Sequence, residues 1–187
     1  EGDLVQITNN FNIEGELSPF MNTGIMVDGK VFTANTESNY KGKRIFLKDI
    51  IQKGRVDKEF LINESDIHKW EYLKGSKKEK RISKTGYQYN YSEGGMVFPD
   101  SLDGPSRTII TGEGGPSPSR FKHVVKTKNG LRRLTPLELE RLNMFPDHHT
   151  KHKDVTNAKR AFFMGNALVV GVVEKIGMSL NSKLNNC

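Results

Sequence analysis

The sequence predicts an α+β fold in two unequal parts: an irregular, mostly β body with short helices over residues 1–150, then a linker and a C-terminal helix over residues 151–187. Three features predict it. Short alternating and β-branched runs separated by glycine turns fill the first hundred residues, a firmly capped helix begins at Thr135, and a helix apolar on nearly every side runs from residue 166 to about 180. Of the 187 residues, 35% are hydrophobic and 18 are Gly, so the core should be modest and rich in turns. The formal net charge of +7 favours a polyanionic partner. The one Cys, Cys187, excludes an internal disulfide framework and suits a reducing, cytoplasmic setting. No secretion signal or lipidation motif is visible. The first residue is Glu1 rather than Met, which reads as a piece of something longer.

In "TGIMVDGKVFTANT" alternating apolar residues flank Asp28-Gly29, the pair that a type I′ turn prefers, and predict a hairpin. "FLKDIIQKG" predicts a short helical turn ended by Gly54, and "DIHKWEYL" (residues 66–73) a helix with Trp70 inward. The run "KGSKKEKRISK" sets six basic residues against one Glu and reads as a solvated loop. "GYQYNYSEGG" reads as a strand with alternate aromatics, at least one tyrosine belonging to a β core. Residues 108–111 read as a short β-branched strand entering a Gly/Pro/Ser loop. Between Glu113 and Glu138 there is no acidic residue, while Arg120, Lys122, Lys126, Lys128, Arg132 and Arg133 accumulate. Such a loop offers backbone N–H groups and long cationic side chains to phosphates and base edges. On the residues alone, nucleic-acid contact and a merely exposed basic loop both stay open.

"RRLTPLELERLNMFP" carries the clearest local signals. Thr135 is an N-cap, Pro136 suits the first helical position, Glu138 completes a capping box, Leu134 and Leu139 form a hydrophobic staple, and Pro146 stops the helix. In the last helix, Leu168, Val169, Val170, Val172, Val173 and Ile176 leave little polar face before Glu174 and Lys175. The stretch is too short and interrupted to span a bilayer, so no membrane partner is expected and protein must cover it. His148, His149 and His152 match no zinc spacing, and no metal is expected. With no paired carboxylates, no nucleophile–base arrangement and no phosphate-cradling glycine loop, the chain shows no complete active site and no catalytic residue of its own.

Arg132, Leu134, Thr135, Pro136, Glu138, Arg141, Leu142, Phe145 and Pro146, followed by Gly165, Asn166 and Ala167, resemble position by position the ninth and the start of the tenth signature motifs of DNA cytosine-5 methyltransferases of the bacterial restriction-modification type. Thr108-Ile109 before a Gly-rich loop is similar to the core of that family's target-recognition region. Met144 departs from the pattern, standing where the family usually has Gly, and implies a helix end that runs differently. The family's Pro-Cys, Glu-Asn-Val, Phe-x-Gly-x-Gly and Gln-x-Arg-x-Arg motifs are not in the sequence. In the family these carry the thiolate, the carboxyl assisting at cytosine, the S-adenosylmethionine pocket and an arginine pair near the base.

The resemblance implies the C-terminal part of such an enzyme: a recognition domain over residues 1–150, with the ninth motif at 132–146, and a tenth-motif helix that packs on an α/β, Rossmann-like catalytic domain outside this chain. The whole enzyme would flip a cytosine out of double-stranded DNA and methylate carbon 5 from S-adenosylmethionine, in the cytoplasm and at the nucleoid. Arg107, Thr108, Ile109, Arg120 and Lys122 are then expected at the DNA, and Asn166 and Ala167 near the cofactor. Arg132, Thr135, Pro136, Glu138, Arg141, Pro146 and Gly165 are expected to organise the domain. The partner is the N-terminal catalytic half, cut from the same chain or supplied as a separate subunit. The alternative is a stand-alone sequence-specific DNA-binding module.

Overall fold

The computed structural model describes residues 2–9 and 21–185, and the chain divides into two compact units, Glu1–Lys43 and Arg44–Cys187. In the first unit, strand β1 (Gly2–Asp3) enters helix α1 (Leu4–Asn9). Strands β2 (Thr23–Val27) and β3 (Lys30–Ala34) complete an antiparallel sheet in the order β1-β3-β2. The β2–β3 turn is the one read at Asp28-Gly29: both residues take positive φ, 48° and 75°, as a type I′ turn requires. Asn22 closes the open end by exchanging two 2.8 Å hydrogen bonds with the Thr36 backbone. This sheet buries Val31 and leaves Ile25, Met26 and Val27 exposed.

The second unit holds helices α2 (Leu47–Ile50) and α3 (Ile67–Lys74), then the hairpins β4–β5 (Lys77–Ile82, Gln88–Glu93) and β6–β7 (Val124–Thr127, Gly130–Arg133). Helices α4 (Pro136–Leu142), α5 (Asn157–Asn166) and α6 (Val170–Leu184) follow. Its core gathers Leu47 of α2, Val125 of β6, Leu134, Leu139 of α4, and Ala161 and Met164 of α5. Trp70 of α3 is 1% exposed, the inward residue the periodicity indicates. Each of these two hairpins is its own two-stranded sheet, so among the described residues the β content is three small sheets rather than one body.

Several expectations change. Within the run 74–84, Lys77–Ile82 form a strand rather than a solvated loop: its charges alternate between half-buried and exposed, the period of a β-ribbon with one covered face. None of Tyr87, Tyr89 and Tyr91 is buried. Helix α2 ends at Ile50, and Gly54, at φ 104°, serves the bend beyond it. Residues 108–111 pair with no strand; their backbone instead crosses α5, where a β-carbon at Gly165 would lie 2.4 Å from the Thr111 nitrogen. The β6–β7 hairpin, beyond the elements expected, turns at Lys128-Asn129; Gly130 takes φ 103°, the left-handed conformation that a glycine after a tight turn permits.

The apolar C-terminal stretch is two helices, not one. Asn166 is the last residue of α5, not the start of a helix, and residues 167–169 are extended before α6 begins at Val170. Asn143, the C-cap of α4, holds the break: its side-chain amide donates to Met164 O at 2.8 Å, and its carbonyl accepts from Val170 N at 2.9 Å. The 28-residue run Asn157–Leu184 is long and apolar enough to cross a bilayer by composition alone. The break leaves α6 with 15 residues, about 22 Å of helix against a hydrocarbon core of about 30 Å.

Candidate functional site

The segment 132–146 is built around a buried ion pair. Arg132 grips Glu138 with two hydrogen bonds of 2.8 and 2.6 Å, and neither side chain is more than 3% exposed. Glu138 also accepts from the Thr135 and Gln52 backbone amides at 2.8 and 2.7 Å, so the carboxylate that caps α4 also ties it to the chain after α2. Glu140, one residue beyond Leu139, accepts from Arg160 of α5 at 2.8 Å and from the backbone of His148 and Thr150. Burial would raise its pKa, but the Thr150 and Arg160 bonds hold it below the usual carboxylate range. Arg141 pairs with Asp147 at 2.6 Å and reaches Ile50 O at 3.1 Å. Pro146 lies exposed just past this turn.

The loop from residue 100 to 123 is stiffened by the cations that sequence placed at DNA. A segment without regular structure leaves carbonyls unpaired, and buried carbonyls must find donors. Arg107 forms a fork with Asp100 (2.7 and 3.0 Å) and donates to Phe121 O and Lys122 O. Lys122, 7% exposed, donates to Gly115 O and Ser117 O. Arg120 donates to Leu73 O and Gly75 O and pairs with Glu93 at 3.2 Å. The long side chains expected to be free for bases are therefore turned inward. Burial pulls the Lys122 ammonium below its ordinary pKa, as does the neighbouring Arg133. Lys74, read as part of a solvated run, is 1% exposed and donates to Arg120 O and Lys122 O. Burial, then the charge of Arg107, pushes its pKa down to about 8.

Further buried groups in this loop carry no sequence signal. His123 bonds through Nδ1 to Glu113 Oε1 at 2.7 Å and through Nε2 to Ser106 Oγ at 3.0 Å. Both His123 and Glu113 are at most 1% exposed. Asp100 accepts from Val124 N at 2.7 Å; burial alone would raise its pKa, but Arg107 and that amide hold it low.

The quoted motifs meet at one cleft of about 340 Å³, lined by Thr108 and Ile109, by Leu142 and Asn143 at the end of α4, and by Gly165 and Ala167 at the end of α5. Gly165 is required by the close crossing of Thr111, and Gly114 likewise sits where a β-carbon would meet Ala158 at 2.7 Å. Thr108 is exposed at the mouth, while Ile109 packs against the core. Asn166 is exposed, and its amide nitrogen is spent on Phe162 O at 2.9 Å. Beyond the cleft, α6 buries only Gly171 and leaves Val172, Val173, Ile176, Met178, Leu180 and Leu184 at 46–67% exposure.

The chain is similar to known proteins. Residues 11–182 match the family described as C-5 cytosine-specific DNA methylase. The chain is 42% identical over 175 residues to the Type II methyltransferase M.Sau3AI of Staphylococcus aureus, covering 94% of this chain and 40% of that protein. The crystal structure of the S. pombe Dnmt2 methyltransferase superposes with a TM-score of 0.55 at 17% identity, over 83% of this chain and 51% of that one, a likeness of fold.

Proposed function

The chain belongs to the C-5 cytosine-specific DNA methylase family, and from that premise we propose that it is the target-recognition and C-terminal portion of a DNA cytosine-5 methyltransferase. On this reading it selects the site on double-stranded DNA and closes onto a catalytic domain through α6. The observation that carries the reading is the contrast within one unit. Residues 100–146 are locked by buried ion pairs, while the apolar surface of α6 is left exposed by the described residues. A helix with that much exposed aliphatic surface is an interface.

The cations of the loop act by position: Arg107, Arg120 and Lys122 hold the backbone that presents Thr108 to the duplex, and Ile109 anchors it. The residues present fit only the rim of an S-adenosylmethionine site. Ala167 lines a cleft that it shares with Thr108, Ile109 and Asn143, and Asn166 keeps its amide nitrogen on its own helix. The cofactor supplies the methyl group when bound, and its main contacts and the attacking thiolate belong to the catalytic domain. The role of Asn166 and Ala167 is to shape the joint between the two parts.

The test is co-expression with the catalytic portion of the same enzyme. A one-to-one particle with methyl transfer to DNA cytosine is expected from the pair and from neither part alone. Burying a Val or Ile side chain contributes about 1.5–3 kcal/mol, so Val172→Asp with Ile176→Asp should weaken assembly by about 100-fold or more. Methyl transfer should fall in parallel. Intact assembly in that variant would remove α6 as the docking element. Site-specific duplex binding without any assembly would leave the stand-alone DNA-binding module.

A further inference from the structure

The hairpin β4–β5 sorts its side chains by face more sharply than its basic composition requires. Its register sets Lys78 opposite Ser92, Lys80 opposite Asn90 and Ile82 opposite Gln88, and all six of these residues are exposed. The other face carries Lys77, Glu79 and Arg81 opposite Glu93, Tyr91 and Tyr89. Both carboxylates of the hairpin lie on that second face and are paired there, Glu79 with Arg81 at 3.0 Å and Glu93 with Lys77 at 3.1 Å. The outward face therefore holds cations and amides with no carboxylate among them.

That face is also held in place. Arg81 stacks 3.5 Å over the Tyr91 ring, Lys77 donates to Leu73 O, and Lys77 lies 4.9 Å over the Tyr72 ring of α3. Arg120 bridges from the loop to Glu93, Leu73 O and Gly75 O, and Met96 N donates to Lys74 O. The tip is closed by Ser83 N donating to Tyr87 O and Tyr87 N donating to Ser83 Oγ. A ribbon fixed at its base and closed at its tip loses little freedom on binding.

Its dimensions and chemistry fit one occupant. Two strands lie about 4.8 Å apart, and a two-stranded ribbon is admitted by the major groove, about 12 Å wide. Successive residues on one face of a strand are about 6.8 Å apart, two base-pair steps of about 3.4 Å. The cations come from β4 and the amides from β5, so one edge can lie along a phosphate wall while the other meets base edges. Glutamine and asparagine amides match adenine N6 and N7 in that groove. Ile82 is the one large apolar residue on the face, too little for a hydrophobic partner.

We propose that the outward face of β4–β5 is the major-groove reading surface of this chain, with Gln88 and Asn90 contacting bases and Lys78 and Lys80 contacting phosphates. The assignment rests on the recognition reading above. The test measures duplex binding by the full chain over a range of salt, and the sequences it selects from a randomised DNA duplex pool. Lys78→Gln with Lys80→Gln should reduce the slope of log affinity against log salt by about 1.8, at about 0.9 per phosphate contact. The control pair Lys126→Gln with Lys128→Gln, the same change in net charge elsewhere, should reduce it less. Gln88→Ala with Asn90→Ala should leave the slope alone and change the selected sequence. All six side chains are exposed, and unchanged thermal unfolding verifies that the variants fold. Wild-type duplex binding with slope and selection unmoved by the hairpin variants overturns the assignment and leaves the recognition reading standing. An equal slope change in the control pair, or competition by duplex RNA as strong as by DNA, also overturns it, since the A-form major groove excludes side chains. A wild-type chain that selects no duplex sequence overturns the recognition reading itself.

Discussion

Met144 sits at the first position past the α4 C-cap with φ 62°, the left-handed region. The bonds around it are those of a Schellman ending: Met144 N donates to Arg141 O at 3.0 Å and Phe145 N to Glu140 O at 2.9 Å. Glycine takes that conformation freely, whereas a side chain there costs about 1–2 kcal/mol. The departure at Met144 therefore does not reroute the helix end, as the residue alone suggested; it adds strain to an ordinary ending. The thioether has a second consequence, because a β-carbon on Gly171 of α6 would lie 2.5 Å from Met144 Sδ. Met144→Gly should stabilise the chain by up to about 1 kcal/mol. Gly171→Ala should be near neutral alone, since its gain in helix propensity, about 1 kcal/mol, is spent displacing the thioether. In the Met144→Gly background the same change should stabilise by about 1 kcal/mol. Denaturant unfolding of the four proteins in a double-mutant cycle measures this coupling, and strict additivity would show that the two residues do not compete for space.

At the scale of elements, the crossing of residues 110–111 over α5 joins the loop to the helix pair. Gly165 leaves no room for a side chain there, with three backbone atoms of Ile110 and Thr111 within 2.6 Å of where a β-carbon would stand. Because backbone rather than a flexible side chain is in the way, Gly165→Ala should cost about 1–3 kcal/mol or more and unseat the loop. Faster amide hydrogen exchange around Thr111, with α4 unchanged, is the expected signature; exchange that stays put would mean the crossing yields cheaply. The elements legible in the sequence were those fixed by short-range signals: the Asp28-Gly29 turn, the Thr135–Glu138 capping box and the Trp70 helix. What was lost depends on distant partners. Nothing local shows that Lys74, Arg107 and Lys122 turn inward, because the carbonyls they satisfy lie in a loop with no pattern of its own. The strand β4 was hidden by its charges, since alternation of half-buried and exposed basic residues has no hydrophobic period. The break at residues 167–169 depends on Asn143, more than twenty positions away in the chain.

At the scale of the molecule, two forces act between copies of this chain. The net charge of +7 repels them, while Val172, Ile176, Leu180 and Leu184, one residue every four along α6, present 54–67% of their surface to water. Completing the burial of each is worth about 1 kcal/mol, part of the roughly 1.5–3 kcal/mol of a whole side chain. Four such residues on each of two copies supply about 8 kcal/mol. Association costs about 4–15 kcal/mol in lost freedom, so any dimer of the isolated chain is weak and its balance falls to the charge. Added salt screens repulsion between exposed charges more than about 10 Å apart at 0.1 M and leaves the apolar gain in place. Sedimentation of the isolated chain should therefore show self-association that rises with protein concentration and with salt, the opposite of its duplex binding. Ile176→Asp with Leu180→Asp should abolish it without lowering the unfolding temperature, because none of the described residues covers those side chains. A monomer at every concentration whose unfolding temperature drops in that variant would mean that the chain itself buries the α6 face, and that no catalytic domain is needed to cover it.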